Sequence, residues 1–370
     1  LFVSYYSKKI FFNQNYSSKV NDFIKIDQSI NLEKKKIFYI ILDELPSLEY
    51  IDNELNIDSS RFKNFAISNN LEFFSKTKSN YNRTYLTITS ILNFDYLSNV
   101  KYVNKDNFYP NILYKDEVNI PLLNLLDEID FKFYFAGNEW ARCIPNKKIN
   151  CINFNNDNLI VKILNDYGTT SFFSNSLIGN FLFSHINSFI QKINNTDSNN
   201  SIENLALTIK NESVKFEDNS FIFVHHLSPH TPYRSKDCKI LRGDERTNPN
   251  NFSSSVQCSL GQIEKITKLI IKTYPNSIIV FQGDHGHGKN IAQISEIDSS
   301  FVFNKYSIFN AIYSKSSCNE NFNPSFGQVN TIRFVLRCIG FELKKVKEKS
   351  FVGFSDKQQL FGQLYEIKDY

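Results

Sequence analysis

The chain has 370 residues, a formal net charge of +4 and a sequence pI near 8.5. That length suits one large α/β domain with an appendage, and a hydrophobic content of 41% is enough for a substantial core. The charge is too mild to imply a nucleic-acid partner, and no basic block or RNA-reading motif occurs.

Residues 1–12 are aromatic but too short and too charged to span a bilayer. They read either as the juxtamembrane end of a missing membrane region or as an ordinary strand or helix start. The chain opens on Leu1 and contains no Met, which predicts a piece of a longer protein. Further along, apolar runs predict buried strands at residues 37–42, 131–136, 221–225 and 277–281, with a weaker candidate at 306–313. Helical spacing predicts helices over 59–75, 84–92, 121–129, 257–273 and 331–338. Strands that alternate with helices and are apolar throughout imply a largely parallel central sheet flanked by helices on both faces. Residues 191–204 are rich in Asn, Ser and Asp and read as a surface loop. Residues 234–256 are polar, bracketed by Cys238 and Cys258, and read as a loop over an active site. The expected division is an N-terminal segment 1–34, a catalytic domain 35–328 and a small C-terminal subdomain 329–370.

The six cysteines form no Cys-x-x-Cys, which weakens zinc-ribbon and thioredoxin readings. They fall into sequential pairs, and the preferred pairing is local: Cys143 with Cys151, Cys238 with Cys258, Cys318 with Cys338. Each bridge would contribute about 2–4 kcal/mol and implies an oxidising compartment such as the periplasm. Six reduced cysteines in a cytosolic enzyme are the other reading.

Reactive side chains gather at the ends of apolar strands, where open α/β sheets bind ligands. IFYIILDEL ends in Asp43 and Glu44, oxygen donors suited to hard or borderline cations. An Asp that merely caps a helix is the plainer explanation. FQGDHGHG delivers Asp284, His285 and His287 on a glycine-framed turn, a plausible half of a zinc site. FVHHLSPHTPY carries His225, His226 and His230, so five of the six histidines lie in these last two segments. In a strand His225 and His226 face opposite sides. His226 is favoured for the site, with His230 on the loop after it. SNYNRTYLTITSILN supplies Arg83, Thr84, Thr87, Thr89 and Ser90 at a helix start. There the backbone dipole favours a developing anion, and a cation-bound hydroxyl can ionise into a nucleophile. Taken alone, a helix-start Thr is more simply a cap.

The ordered set of these segments, from about residue 37 to 345, resembles the catalytic elements of the alkaline phosphatase/sulfatase superfamily. The likeness is nearest to sulfatase-like transferases of bacterial envelopes, among them phosphoethanolamine transferases and lipoteichoic acid synthases. SNYNRTYLTITSILNFDYL looks like the nucleophile helix, HLSPHTPY like the His-containing substrate loop, and QVNTIRFVLRC like a C-terminal element of sulfatase-like proteins.

The resemblance implies an alkaline phosphatase-like fold. It also implies one divalent ion, zinc or manganese, held by Asp43, Thr84, Asp284 and His285, with a second ion possible. Thr84 would be the nucleophile, and His226 and His230 would contact the phosphoryl group or the leaving oxygen. Arg83, Thr87, Glu44 and His287 are additional candidates. The implied reaction moves phosphoethanolamine or phosphoglycerol from a phospholipid donor to an envelope glycan or lipid A acceptor through a phospho-threonine. It implies the periplasmic face of a bacterial inner membrane, reached through a missing N-terminal membrane region. A phosphodiesterase or phosphatase would use the same residues with water as acceptor, and a non-catalytic scaffold is the remaining alternative.

Departures from the family pattern matter. No Cys/Ser-x-Pro-x-Arg motif stands at the nucleophile, which argues against sulfate ester hydrolysis. Asp43 sits where membrane transferases often carry Glu, and Glu44 follows, so both stay open as the metal ligand. His287 stands where many phosphoethanolamine transferases have Glu, which leaves room for a second metal or altered substrate contacts.

Overall fold

The computed structural model describes residues 35–97, 108–115, 119–152, 200–291, 293–315, 326–354 and 364–367. The N-terminal segment 1–34 therefore lies outside the described residues. The centre is a sheet of seven strands: β1 (Lys36–Leu42), β2 (Leu71–Phe73), β3 (Lys132–Ala136), β4 (Ile149–Cys151), β5 (Ser220–His226), β6 (Ile278–Gly283) and β7 (Asn310–Tyr313). Their order is β2-β7-β6-β1-β5-β3-β4. The run β6-β1-β5-β3-β4 is parallel, and β7 is antiparallel to both β6 and β2. The mostly parallel α/β architecture expected from the strand–helix alternation is what the chain adopts.

The helices are α1 (Leu48–Asn53), α2 (Ser60–Ser68), α3 (Thr84–Asn93), α4 (Pro121–Glu128), α5 (Ser201–Lys210), α6 (Phe252–Thr273), α7 (Ser299–Tyr306) and α8 (Gln328–Arg337). The central strands are apolar in both parities because helices cover both faces. On one face Ile37, Tyr39, Ile41, Phe221 and Phe223 pack with Ile88 and Ile91 of α3, Leu126 of α4 and Val335 of α8. On the other, Phe38, Ile40, Leu42, Ile222 and Val224 pack with Phe62 of α2, Leu205 of α5 and Ile263 of α6. Each such fully buried side chain contributes about 1.5–3 kcal/mol of transfer free energy.

Several boundaries differ from the sequence expectation. The helix expected over 59–75 stops at Ser68, and Leu71–Phe73 instead pairs with β7. The cause is Asn70, whose φ of 53° is left-handed and ends the helix. α6 begins at Phe252 rather than 257, because a 3-10 turn at Pro249–Asn251 leads the chain into it. The loop expected at 191–204 is helical from Ser201, where the Asn200 side chain accepts from Glu203 N. Tyr306 still belongs to α7, so the strand expected from 306 forms only from Asn310.

α8 lies against α3, and Arg333 Nε donates to Phe94 O at 2.8 Å. Beyond it, β8 (Phe351–Gly353) and β9 (Leu364–Glu366) form a two-stranded antiparallel sheet. Phe351 N donates to Asn80 O at 2.8 Å and Gly353 N to Asn82 Oδ1 at 2.9 Å, which ties this sheet to the segment leading into α3. Two of the expected disulfides are formed: Cys143–Cys151 with Cα atoms 5.6 Å apart and Cys238–Cys258 at 5.1 Å. The third expected bridge needs Cys318, which lies outside the described residues. Among the described residues no helix is long and apolar enough to cross a membrane.

Candidate active site

The site forms where β1, β5 and β6 end side by side. The parallel register sets Leu42 between His226 and Gly283, so Asp43, the loop after His226 and Asp284 emerge together. Asp43 N continues the ladder by donating to His226 O at 2.9 Å, and Asp43 O accepts from His230 N at 3.1 Å. Gly283 is required for this approach, since a Cβ there would overlap the Leu45 carbonyl. α3 brings up Thr84, and Thr87 pins the helix by donating from Oγ1 to Asp284 O at 3.0 Å. Gln328 of α8 supports the same turn, with Nε2 donating to Gly283 O at 3.0 Å and Asp284 O at 2.9 Å.

Asp43, Asp284 and His285 converge, each buried, with ligand atoms all within 4.8 Å of one another. Asp284 Oδ1 is committed, accepting from Glu44 N at 2.9 Å and His285 N at 2.8 Å. Its Oδ2 has no hydrogen-bond partner, and neither has Asp43 Oδ1. Burial, then the charges of Asp284 and Glu44, raise the Asp43 pKa well above the usual carboxylate range. Taking a carboxylate out of water costs several kcal/mol, so two buried carboxylate oxygens left without hydrogen-bond partners in this cluster call for a cation. His285 Nδ1 lies 3.1 Å from Gly286 O. That bond fixes the proton on Nδ1 and turns the Nε2 lone pair inward, the arrangement seen in metal-binding histidines. Thr84 Oγ1 is 3.3 Å from His285 Nε2 and hydrogen-bonds the Asp43 carboxylate. Two carboxylate oxygens, an imidazole nitrogen and a hydroxyl are a donor set that fits zinc or manganese.

The structure separates the two adjacent carboxylates. Glu44 sits in a left-handed conformation, φ 65°, and its side chain points to a different cluster. Its Oε2 is 3.3 Å from His287 Nδ1 and its Oε1 is 3.5 Å from Lys305 Nζ. Burial opposes its ionisation, but the His287 hydrogen bond and the charges of His285, Lys305 and His230 prevail and lower its pKa far below the ordinary value. His287 stacks on Phe252 with ring centroids 3.6 Å apart. Phe252 opens α6, so the polar segment 234–256 reaches the site through its far end. Lys305 is 2% exposed. Burial lowers its pKa, while Glu44, Asp284 and Asp43 hold it up.

The histidine pair on β5 is arranged opposite to the sequence expectation. His226 faces the second core layer, where its Nε2 is 3.1 Å from Gln262 Oε1, and burial lowers its pKa to about 3. It is not among the groups that converge on Asp43. His225 is the one that faces the site, with Nε2 3.8 Å from Asp43 Oδ2. Asn138 Oδ1 accepts from Trp140 N and Ala141 N, at 2.9 and 2.8 Å, so its Nδ2 must be the group 3.1 Å from His225 Nδ1. His225 Nδ1 therefore accepts, with Tyr109 OH also at 2.9 Å, and the ring proton sits on Nε2, aimed at the site. Burial, ahead of His230 and His285, lowers the His225 pKa to about 4, which keeps it a neutral donor at pH 7.

The signal for His225 lay in parity. Asp43 falls on the same face of β1 as Ile37, Tyr39 and Ile41, and across the ladder Ile41 pairs with His225. His230 is half-buried on the loop after β5, with Nδ1 turned to Thr231 O at 3.0 Å. Arg83 precedes α3, and its Nε is buried without a partner. Lys305 escaped the sequence reading, because a Lys inside a helix next to Tyr306 carries no local mark of burial.

No protein-family model and no curated protein matches this chain. Solved structures do match it. The C-terminal periplasmic domain of EcEptC from Escherichia coli superposes with a TM-score of 0.53 at 13% identity, over 93% of this chain and 94% of that one. The periplasmic domain of the phosphoethanolamine transferase EptC from Campylobacter jejuni gives 0.52 at 12% identity, over 84% and 91%. The phosphonate monoester hydrolase SpPMH from Silicibacter pomeroyi gives 0.50 at 10% identity, over 87% and 80%. At such identities the likeness is one of fold. This chain has the fold that these transferase domains and the hydrolase share.

Proposed function

We propose that the protein transfers a phosphoryl-linked group, phosphoethanolamine or phosphoglycerol, from a phospholipid to an envelope glycan or lipid A, with Thr84 as nucleophile. The observation that carries this reading is the position of Thr84. It is the first residue of α3, 3.3 Å from His285 Nε2 and hydrogen-bonded to Asp43. A divalent ion held by Asp43, Asp284, His285 and the Thr84 oxygen would supply Lewis acidity that lowers the hydroxyl pKa and offsets charge on the phosphoryl oxygens.

The chain's own groups account for the rest. The Thr84 hydroxyl releases its proton to solvent, its oxygen forms a bond to phosphorus, and the bond from phosphorus to the diacylglycerol oxygen breaks. The N-terminus of α3 favours the added negative charge. The His225 Nε2 proton donates to a non-bridging oxygen, the role the sequence suggested for His226. Arg83 offers its unpartnered Nε to the same anion, and His230 supplies the proton that the leaving alkoxide takes up. A sugar hydroxyl then attacks phosphorus and gives its proton to His230, and the bond from phosphorus to the Thr84 oxygen breaks. The two disulfides and the fold shared with periplasmic transferase domains support a periplasmic setting at the inner membrane.

Intact-protein mass spectrometry after incubation with mixed phospholipids and zinc or manganese tests this. The expected result is an adduct that maps to Thr84, with a mass that identifies the group, and none on Thr84→Ala. Full turnover by Thr84→Ala would refute the mechanism. Cleavage without an adduct, with turnover still dependent on Thr84, would make water the acceptor and the protein a hydrolase.

A further inference from the structure

The loop between β3 and β4 carries the chain's single tryptophan, Trp140, with 46% of its surface exposed. Among the described residues no other aromatic side chain is exposed, so an indole left in water at the edge of the site needs a reason. Ile144 is 38% exposed, and Pro145 beside it is exposed. Between and after these stand the exposed cations Arg142 and Lys147, and Glu139 is the one carboxylate in the segment.

The loop is held rigid. The Asn138 side chain accepts from Trp140 N and Ala141 N and donates to His225 O at 3.0 Å. The Cys143–Cys151 bridge closes it. The indole packs edge-on against Tyr109 and against His225, each at 5.7 Å between centroids.

We propose that this disulfide-closed loop is a lipid-docking surface: Trp140 and Ile144 enter the headgroup layer of an anionic bilayer while Arg142 and Lys147 pair with its phosphates. Trp is the side chain best matched to that layer, with an apolar body and one polar N–H. Exposed cations next to it complement an anionic surface. Because the loop is already ordered, docking costs little conformational entropy. Because the indole rests on His225, the lipid at the loop is the lipid next to the proposed reaction centre. The inference deepens the lipid-donor reading and rests on it for its purpose. Its test reads binding without turnover.

The single tryptophan is the reporter. The full chain is mixed with vesicles of phosphatidylethanolamine and phosphatidylglycerol, and its emission is recorded with and without brominated acyl chains. The expected result is a blue shift with strong bromine quenching that weakens on zwitterionic phosphatidylcholine vesicles and in high salt. The double variant Arg142→Glu/Lys147→Glu should bind at least roughly tenfold more weakly, and Ile144→Ser should reduce quenching. Both should leave the cleavage of a short-chain soluble phosphodiester unchanged. Emission unmoved by either vesicle would overturn the proposal. So would a change on adding soluble glycan without bromine quenching, which would make the loop an acceptor platform. Quenching by vesicles with no headgroup transfer would keep the docking surface and remove the phospholipid donor.

Discussion

Asp43 and Glu44 are neighbours in sequence and opposites in environment. Asp43 keeps an unpartnered oxygen among buried acids, and its pKa is raised. Glu44 already has cationic or protic partners in Lys305 and His287, and its pKa is lowered. The left-handed backbone at Glu44 separates them by turning the second side chain away from the first. The difference teaches which carboxylate awaits a cation and which has been given one by the protein. Lys305 supplies a fixed positive charge on the side of Glu44, and the uncompensated negative charge is left with Asp43 and Asp284. Among the described residues, the grouping able to hold a metal consists of Asp43, Asp284 and His285, without Glu44.

The sharpest way to break this contrast is to remove each carboxylate and measure metal. Asp43→Asn should reduce zinc or manganese affinity by more than the roughly 10–100-fold typical of an outer-shell partner. Glu44→Gln should stay within that range. Equal losses would mean that both acids are ligands. In the metal-free protein the same Asp43→Asn change should raise Tm at pH 7, since it removes an acid whose ionisation is opposed by burial and by two neighbouring acids. A fall in Tm would show that Asp43 is satisfied without metal.

The two histidines of β5 give the next test. His225→Ala removes a donor aimed at the site and should lower turnover by about 10²–10³-fold, the scale of one preorganised donor, with metal content unchanged. His226→Ala leaves the buried Gln262 Oε1 without its partner and should cost about 1–3 kcal/mol of stability with little change in turnover at a temperature where the fold holds. Steady-state rates beside denaturant unfolding separate the two, and a catalytic loss at His226 would reverse the assignment.

Much of this was legible in the chain itself. The runs at 37–42, 221–225 and 277–281 announced buried strands, because only strands covered on both faces are apolar in both parities. Asp43, Thr84, Asp284 and His285 stood out as side chains at strand ends or a helix start, but it was the resemblance of the ordered segments to a known family that set them together as one metal site. What could not be read was register. Choosing His225 over His226 requires knowing that Ile41 pairs with His225, a fact about two strands far apart in sequence. Lys305 and the fate of Glu44 were hidden for a related reason. Their pairing depends on the backbone twist at Glu44 and on α7 packing beside β6, neither of which leaves a local pattern. The helix expected through 75 failed on a local competitor, the left-handed Asn70.

The smallest expected effect is on acid stability, where the two carboxylates should pull in opposite directions. Glu44 has a folded pKa below its unfolded value, so the stability it contributes is present above about pH 4.3 and is lost as pH falls toward the folded value. Asp43, in the metal-free protein, has a folded pKa above its unfolded value. Its contribution is complete at low pH and disappears as pH rises through the folded value. Acidification of the metal-free protein from neutral pH should therefore first relieve Asp43 and only later release Glu44. The stability that the buried neutral histidines His225 and His226 contribute is lost as pH falls below about 6.5, so the Asp43 contribution is read from the difference in Tm between wild type and Asp43→Asn. Glu44→Gln should flatten the acid limb by a few degrees, and the Tm advantage of Asp43→Asn over wild type should shrink as pH falls. Saturating zinc should remove that advantage at neutral pH, since a bound cation stabilises the ionised Asp43. A metal-free Tm difference between wild type and Asp43→Asn that is the same at every pH would mean that the Asp43 pKa is not raised, and the contrast between the two acids would fail at its origin.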